Sequence, residues 1–315
     1  ATDAYGHTVN YTYDTAERKT TITDANGRTW AYWFDKSLYT VKTQDPEGRY
    51  TYTEYYLYNG ENKYGDVKSH TDRNGNKTQY IVDGMGNITK KINPDASFKQ
   101  FWYDSRNNLI KECDENGKIT FYVYDSDRVK LLKQIKPLNG TDEYIDGTSP
   151  VSGFAITQYE YYTASEAQSK FGCSVEGLLK RCTDPEGNST IYEYNAYGDI
   201  IKVINPLGRA NTYEYNIIGW KTAETTPKGY RTEYFYDLNG LLEKQVLHGG
   251  ETTRITYDAL GRKTKEVAPN QYSAALDNLA GHTYSGDHGT RYEYYPNGLL
   301  KSVTDGENYT TSFTY

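Results

Sequence analysis

The side chains best suited to acid–base or metal chemistry lie near the end of the sequence, at His282, Asp287 and His288. Closely spaced imidazoles and a carboxylate suit a metal or acid–base pair. The sequence supplies neither a third ligand for such a pair nor a nucleophile. We therefore interpret these residues as part of a surface loop and predict no metal ligand, cofactor-binding residue or catalytic residue among them.

Two acidic stretches resemble the start of a calcium-binding loop, Asp24-Ala-Asn-Gly27 and Asp72-Arg-Asn-Gly75. A calcium loop of this kind also needs a glutamate later in the loop, and neither stretch has one. Both stretches suit a turn, in which the Asp side chain accepts hydrogen bonds from its own backbone and Gly takes a positive φ. The sequence therefore predicts turns here rather than metal sites.

Carboxylates beside aromatic residues, as in a glycosidase, occur at Glu193 and Glu214. These two residues stand 21 positions apart, at equivalent places in a repeated pattern. An active site requires unlike groups that converge, whereas a repeat spreads like groups along a surface. A solvated sheet face explains both glutamates, and the chain is predicted not to be an enzyme.

The composition indicates a folded chain with little aliphatic core. Only 36% of the 315 residues are hydrophobic and the mean hydropathy is -0.86. The sequence nevertheless contains 35 tyrosines, whose rings bury apolar area and are rare in disordered chains. The net charge of -7 is spread evenly without a basic stripe, so nucleic acid is not a predicted partner. No apolar run is long enough to span a membrane.

Three cysteines, Cys113, Cys173 and Cys182, are too few for a disulfide framework and lack metal-site spacing. A single bridge between Cys173 and Cys182 is the minor alternative. Small buried or half-buried thiols are the preferred interpretation.

The strongest feature of the sequence is a period of 21 residues. Glycine recurs at that step at positions 177, 198, 219, 240 and 261, and again, offset by 10, at positions 187, 208, 229 and 250. An alternating aromatic pair precedes the first series and is followed at once by Asn or Asp, as in Tyr234, Tyr236 and Asp237. A fixed period of this length predicts a repeat array in which each unit stacks on the next.

Each period has the chemistry of a β-hairpin. Alternating tyrosines among β-favouring residues predict strands with one buried face. Asn or Asp followed three residues later by Gly predicts a tight turn, and Pro after the Asx sets φ. The predicted fold class is therefore all-β: an elongated, coiled antiparallel β-strip of about twelve tandem hairpins, each with two strands of about five or six residues.

The residues predicted to matter hold the repeat together and do no chemistry. They are the paired aromatics, the Asx and Pro residues of the turns, and the turn glycines: Tyr192, Tyr194, Gly198, Tyr213, Tyr215, Gly219, Tyr234, Tyr236, Asp237, Gly240, Tyr257, Asp258, Gly261, Asp184, Pro185, Gly187, Pro206 and Gly208.

Residues 1–315 are predicted to form one repeat array taken from a longer protein, since the sequence lacks an initiator Met and stops within an aromatic pair. The period breaks near residues 60–64, 138–176 and 268–290, which we interpret as surface insertions. Ala164 to Phe171 in one insertion and Tyr272 to Ala280 in another have the composition of a short helix.

The repeated pattern resembles a known family. Tyr-x-Tyr-Asp-x-x-Gly, followed ten residues later by Asp-Pro-x-Gly-x-x-Thr-x-Tyr, is similar to the Rhs or YD (tyrosine–aspartate) repeat. The run from Asp184 to Tyr194 fits the second half, and the runs starting at Tyr236 and Tyr257 fit the first. The resemblance extends over nearly the whole chain outside the insertions.

This resemblance implies a β-strip that spirals into a hollow shell. In bacterial Rhs proteins and the C components of insecticidal toxin complexes the shell encloses a C-terminal toxin, and in animal teneurins it belongs to an extracellular adhesion region. The resemblance therefore implies a non-enzymatic structural region of a secreted or cell-surface protein. The implied partners are the rest of its own polypeptide, including a toxin cargo, or a cell-surface glycan or protein. The family's self-cleavage segment and toxin domain have no counterpart in this sequence.

A second class of function stays open at the level of the sequence. Tyrosine-rich repeats of similar length also form carbohydrate- or choline-binding modules, which use solvent-facing rings between hairpins. Regular pairs of exposed rings would favour that module, whereas buried tyrosines would favour the shell wall.

Overall fold

The computed structural model divides the chain into two compact units, residues 1–158 and residues 159–315. The structure describes residues 8–56, 65–127, 129–147, 151–172 and 177–314. The predicted insertion near 60–64 lies outside these residues, and so does Cys173 with its alternative bridge to Cys182. Among the described residues, no helix is long and apolar enough to cross a membrane.

The first unit consists of short strands, each paired antiparallel with its neighbours in the sequence. A 3₁₀ turn at Val151–Gly153 precedes the last strand, which runs into the second unit. The strands are β1 (Asn10–Asp14), β2 (Lys19–Thr23), β3 (Thr29–Phe34), β4 (Thr40–Gln44), β5 (Tyr50–Tyr55), β6 (Val67–Thr71), β7 (Lys77–Val82), β8 (Ile88–Ile92), β9 (Phe98–Tyr103), β10 (Leu109–Cys113), β11 (Ile119–Tyr124), β12 (Leu131–Pro137) and β13 (Phe154–Tyr161).

The second unit repeats this plan and adds one helix, α1 (Ala164–Phe171). Consecutive strands again pair antiparallel, and β22 pairs with β25 across an insertion that contains the small β23–β24 pair. The strands are β14 (Leu179–Thr183), β15 (Ser189–Tyr194), β16 (Ile200–Ile204), β17 (Ala210–Tyr215), β18 (Lys221–Thr225), β19 (Arg231–Tyr236), β20 (Leu242–Val246), β21 (Thr252–Tyr257), β22 (Lys263–Val267), β23 (Asp277–Asn278), β24 (Thr283–Tyr284), β25 (Thr290–Tyr294), β26 (Leu300–Thr304) and β27 (Thr310–Ser312).

The prediction of an all-β chain of antiparallel hairpins is confirmed. The hairpin of β17 and β18 shows a feature that the sequence period did not predict, a β-bulge beside the turn. Glu214 lies opposite Ala223, but Tyr215 lies opposite Lys221, so Thr222 is an extra residue without an opposite partner. A bulge bends the strand and increases its right-handed twist. The same slip of register recurs in most other described hairpins that carry a YD turn, whereas β1 and β2 pair without it.

The register defines two faces, because directly opposite residues of an antiparallel pair project to the same side. The tyrosine face carries the paired aromatics, such as Tyr213 opposite Glu224. The other side, here named the lysine face, carries a lysine at the third residue of many strands. These lysines are Lys42, Lys90, Lys111 and Lys133 in the first unit and Lys202, Lys244 and Lys265 in the second.

The predicted helix at Ala164–Phe171 is confirmed. Thr163 and Glu166 form a capping box at its start, and Gly172 ends it in the left-handed conformation. The stretch from Tyr272 to Ala280 forms separate 3₁₀ turns instead of an α-helix. One reason is Asn278, whose side chain accepts a hydrogen bond from the Gly281 N–H and so competes with helix formation.

Candidate functional surfaces

The turn at Asp237 illustrates how each hairpin end is held. Its Oδ1 accepts hydrogen bonds from the backbone N–H groups of Asn239 at 2.9 Å and Leu241 at 2.8 Å. Gly240 has a φ of 85°, which residues with a Cβ rarely adopt. The same two bonds, from the second and fourth residues after the Asx, recur at Asp24, Asp35, Asp72, Asp83, Asp104, Asp114, Asp184, Asn195, Asn205, Asn216, Asp258 and Asp305.

Asp72, considered above as the start of a calcium loop, has both carboxylate oxygens engaged within its own turn. Oδ1 accepts from the backbone of Asn74 and Asn76, and Oδ2 accepts from the Asn76 side chain at 2.9 Å. The hydrogen bond from the Asn76 side chain, followed by that from its backbone, holds the pKa of Asp72 below its usual value. This arrangement is that of an Asx turn. The described residues contain no group of three or more His, Cys, Asp or Glu that could hold a metal ion.

In six hairpins of the described residues, the second tyrosine of the aromatic pair reaches back to the preceding hairpin. The hydroxyl of Tyr236, for example, donates to the Lys221 carbonyl at 2.9 Å, 15 residues earlier. The bond joins the last residue of β19 to the first residue of β18, and it satisfies the hydroxyl of a half-buried ring. The same 15-residue bond is made by Tyr55, Tyr103, Tyr124, Tyr194 and Tyr257.

The rings of these tyrosines pack on the residue that follows the left-handed position of a turn, which is Gly219 before Trp220 and Leu38 before Tyr39. Tyr236 contacts Trp220 with ring centroids 5.4 Å apart, and Tyr55 stacks on Tyr39 at 4.9 Å. Equivalent tyrosines of successive hairpins lie two strands apart, roughly 9.5 Å, which is too far for direct ring contact. The spacer ring or aliphatic side chain fills that gap. Burial raises the pKa of Tyr194, Tyr236 and Tyr257, as expected for rings held out of water.

Glu193 and Glu214 lie on the lysine face, away from the paired tyrosines. Glu193 accepts from Lys170 at 2.9 Å and lies 3.8 Å from Lys202. Glu214 pairs with Arg231. Each glutamate thus has its own cation, and the two form no acid–base pair with each other.

The three residues from which metal or acid–base chemistry was considered do not form one site. Asp287 and His288 are exposed on the insertion that spans residues 268–289. The Nδ1 of His282 lies 2.9 Å from Glu243 Oε2, on the lysine-face side of β20. His282 belongs instead to a different cluster, which the sequence did not predict.

That cluster is a buried ion network centred on Arg254, whose side chain is 0% exposed. Its Nε donates to Asp277 Oδ1 at 2.9 Å, and its Nη1 donates to the Glu243 carbonyl at 2.9 Å. The side chains of Glu243 and Asp277 are 4% and 3% exposed. Asp277 also accepts from Tyr272 at 2.7 Å. The network fastens the insertion at 268–289 to β20 and β21.

Ionisation of Asp277 is opposed by burial and favoured by its partners. The hydrogen bonds from Arg254, Tyr272 and Lys244 outweigh the burial and hold the pKa of Asp277 below its usual value. Lys244 shows the converse balance, since burial would lower its pKa but Tyr272 and Asp277 raise it. Both groups therefore remain charged at neutral pH, as a buried network requires.

One signal in the sequence points to this network once the register is known. Lys244 and Arg254 are directly opposite each other in β20 and β21. Like charges at opposite positions destabilise a sheet unless a carboxylate lies between them. The 21-residue period alone did not show that these two positions face each other, because it does not give the register in which β20 and β21 pair.

Comparison with known proteins identifies the repeat. The RHS Repeat family model matches residues 175–210 and 236–273. The resemblance predicted from the sequence is therefore confirmed at these two sites. Both matched segments lie largely in the second unit's strand-turn repeats.

Two relatives from Bacillus show the same likeness over a longer stretch. The tRNA3(Ser)-specific nuclease WapA of Bacillus spizizenii is 25% identical over 205 residues, which cover 63% of this chain and 7% of the relative. The tRNA nuclease WapA of Bacillus subtilis is 25% identical over 206 residues, covering 62% of this chain and 8% of the relative. The chain thus aligns with less than a tenth of either relative.

Two solved structures have a similar fold. A chain of the TcdB2-TccC3-TEV crystal structure superposes with a TM-score of 0.69 at 16% identity, covering 100% of this chain and 18% of that one. A chain of the Photorhabdus luminescens Tc holotoxin pore gives 0.67 at 15% identity, covering 100% of this chain and 17% of that one. At such identity the likeness concerns the fold alone.

Proposed function

Because the chain carries RHS repeats, we propose that residues 1–315 form one array of YD hairpins that serves as a section of wall around, or a support for, another polypeptide. The paired tyrosines, Asx residues and turn glycines named above would hold that wall together. The other polypeptide would be a further part of the same protein, such as a toxin cargo.

The observation that carries this proposal is the hydroxyl-to-carbonyl bond to the preceding hairpin that recurs at Tyr55, Tyr103, Tyr124, Tyr194, Tyr236 and Tyr257. Such a bond joins neighbours of a stack and engages the tyrosine hydroxyl. Side chains that are satisfied by the neighbouring repeat suit a wall. They do not suit a reaction centre, which needs unlike groups around one point.

The names of similar proteins are consistent with a toxin-related setting. Two are tRNA nucleases, and another similar fold occurs in a Tc holotoxin pore. The aligned part is less than a tenth of each nuclease, so we propose that nuclease activity resides outside the region that resembles this chain. We also propose that the protein acts outside the cell or at its surface.

The carbohydrate- or choline-binding alternative requires regular pairs of solvent-facing rings. The YD tyrosines instead direct their hydroxyls to backbone carbonyls and their rings to spacer side chains such as Trp220. This geometry favours the wall, and a cell-surface glycan or protein remains a proposed secondary partner.

The proposal is tested by limited proteolysis of the full-length protein that contains this chain. A segment enclosed by the repeats is expected to resist protease while the repeats are folded and to be cut once they unfold in denaturant. The same segment, expressed alone, is the control. Equal rates of cleavage in the two settings would contradict the proposal.

A second test addresses enzyme activity directly. The chain of 315 residues is expected to leave tRNA intact under conditions in which a WapA nuclease cleaves it. Cleavage that survives repurification would show that the repeat region itself has a reaction centre.

A further inference from the structure

The insertion of the first unit places a tyrosine and a carboxylate on the lysine face. Asp146 Oδ1 accepts from Lys133 Nζ at 2.7 Å and from the Tyr144 hydroxyl at 2.8 Å. The Tyr144 ring packs edge-on against Phe154, with centroids 5.1 Å apart. In the same segment Glu143 pairs with Lys111, the preceding lysine of the row. The loop Glu-Tyr-Ile-Asp thus occupies two lysines in succession.

The insertion of the second unit repeats this chemistry in an unrelated sequence. Asp277 Oδ2 lies 3.1 Å from Lys244 Nζ and accepts from the Tyr272 hydroxyl at 2.7 Å. Lys244 Nζ also lies 5.2 Å from the centroid of the Tyr272 ring. A carboxylate shared by a row lysine and a tyrosine hydroxyl therefore occurs once in each unit. The recurrence indicates what kind of polypeptide segment this face accepts.

Lys90 occupies the same strand position one hairpin before Lys111 and has no such segment. Its Nζ lies 3.7 Å from the centroid of the Phe98 ring. Among the described residues, no carboxylate lies within ion-pair distance of it. An open groove of about 570 Å³ beside Lys90 is lined by Ile81, Gln100 and Trp102. Asp83 also lines it, and its carboxylate accepts hydrogen bonds from Met85 and Asn87 within its own turn.

Trp102 separates this groove from the next one, which already holds Tyr144 and Asp146. Trp102 and Phe98 are both more than a third exposed. The Lys90 groove therefore offers a cation between exposed rings, next to a groove in which the same combination is covered by the chain's own acidic loop.

We propose that the lysine face binds acidic, tyrosine-containing polypeptide segments, and that the groove at Lys90 is its open site. A carboxylate of the partner is bound by Lys90 Nζ, and a neighbouring aromatic side chain packs against Trp102. This inference rests on the proposed function, because it gives the chemistry of the polypeptide that the wall holds.

A polypeptide fits this face better than a nucleic acid does. The row lysines stand two strands apart, roughly 9.5 Å, so that each can hold one carboxylate of an extended chain. The row is interrupted by Ser69, at the equivalent position between Lys42 and Lys90. Glu54 lies opposite Ser69 on the same face and pairs with Lys77, so the row lacks the continuous run of cations that a phosphate backbone requires.

The test uses the full chain and a fluorescein-labelled peptide with two copies of Glu-Tyr-Ile-Asp, followed by fluorescence anisotropy. K90Q is expected to weaken binding about tenfold, the effect of losing one charge-assisted hydrogen bond. K90R keeps the charge and is expected to bind like the unaltered chain. K91Q is the matched control: Lys91 is the next residue, lies opposite Tyr80 on the tyrosine face, and should change binding by less than about twofold.

Two further probes decide the partner class. A peptide with Gln and Asn in place of Glu and Asp, and an oligothymidylate of the same charge as the acidic peptide, are both expected to bind weakly. Equal effects of K90Q and K91Q, or an oligothymidylate that binds as tightly as the acidic peptide, would overturn the inference. In that case, protease protection of the enclosed segment in the proteolysis test above would still support the proposed function. Conversely, if K90Q weakens peptide binding and K91Q does not, but the enclosed segment is not protected, only the proposed function is contradicted.

Discussion

The periodic hairpins and the insertion at 268–289 satisfy their charged side chains in opposite ways. In the hairpins a carboxylate such as Asp237 accepts from backbone groups two and four residues away. In the insertion Asp277 accepts from Arg254, 23 residues away on another element. Bonds of the first kind can be copied in every period. Those of the second kind depend on the whole unit being folded.

The difference teaches where stability is concentrated. An Asx turn at the surface loses its hydrogen bonds to water at modest cost, because water replaces the donors. A buried guanidinium between two carboxylates has no such replacement, and removing it leaves unpaired charges in a low-dielectric interior. Substitutions at many positions of the repeats should therefore change stability little, whereas substitutions at Arg254, Glu243 or Asp277 should change it strongly.

The largest effect is expected from Arg254→Met. The variant keeps much of the side-chain volume but removes the guanidinium from buried Glu243 and leaves Asp277 with Lys244 as its remaining cation, which should lower the free energy of unfolding by about 3–5 kcal/mol. Urea denaturation followed by circular dichroism measures the change. Arg231→Met removes an exposed arginine that pairs with Glu214, and serves as the control with little expected effect. Similar losses in both variants would remove the distinction between the two regions.

The sequence predicted well those features whose cause lies within a few residues. The turn at Asp237 needs only an Asx and a glycine three residues later, and α1 begins at a capping box that is visible as Thr163 and Glu166. The buried ion network beneath the insertion has no signal within a few residues of the sequence. Arg254 and Asp277 meet only because the insertion folds back over β20 and β21, and tertiary contacts of that kind leave no period in the sequence.

The lysine face shows an intermediate case. A lysine at the third strand position recurs in the sequence, for example at Lys90, Lys111 and Lys133. Whether these lysines project to the same face depends on strand register, and a bulge in each of these three hairpins shifts that register by one residue. The even spread of net charge therefore concealed an ordered row of cations in each unit.

Acid should loosen the insertion before it affects the hairpins. The folded-state pKa of Asp277 is lowered, so its contribution to stability is present above the ordinary value of 3.8 and is lost as the pH falls through the lower folded-state value. The effect should be smaller than that of Arg254→Met, since a protonated carboxyl still accepts hydrogen bonds. Hydrogen exchange between pH 5 and pH 2.5, corrected for intrinsic rates, should show residues 268–289 losing protection first. Earlier loss in β15–β19 would contradict this order.

A pair of glycines tests how closely the spacer residues pack. Gly219 and Gly240 have φ values of 84° and 85°, but a Cβ on Gly240 would lie 2.7 Å from the Trp220 ring, whereas a Cβ on Gly219 meets nothing within 4 Å. Gly219→Ala should cost about 1 kcal/mol for backbone strain alone. Gly240→Ala should cost about 2–3 kcal/mol, because it adds overpacking against Trp220. Equal losses would mean that the ring moves aside freely.

The smallest effect is expected from Tyr236→Phe, which removes the hydroxyl-to-carbonyl bond to Lys221 and keeps the ring on Trp220. The loss should be about 1 kcal/mol, the net contribution of one hydrogen bond. Phe34 occupies the equivalent position in another hairpin, so the ring alone is compatible with the fold. Tyr194→Phe removes the same bond, to Leu179, beside helix α1 where the ring is 6% exposed, and should cost more because the orphaned carbonyl is less accessible to water. If both variants are neutral, ring packing rather than the hydroxyl bond joins successive hairpins, and the wall depends on its spacer residues.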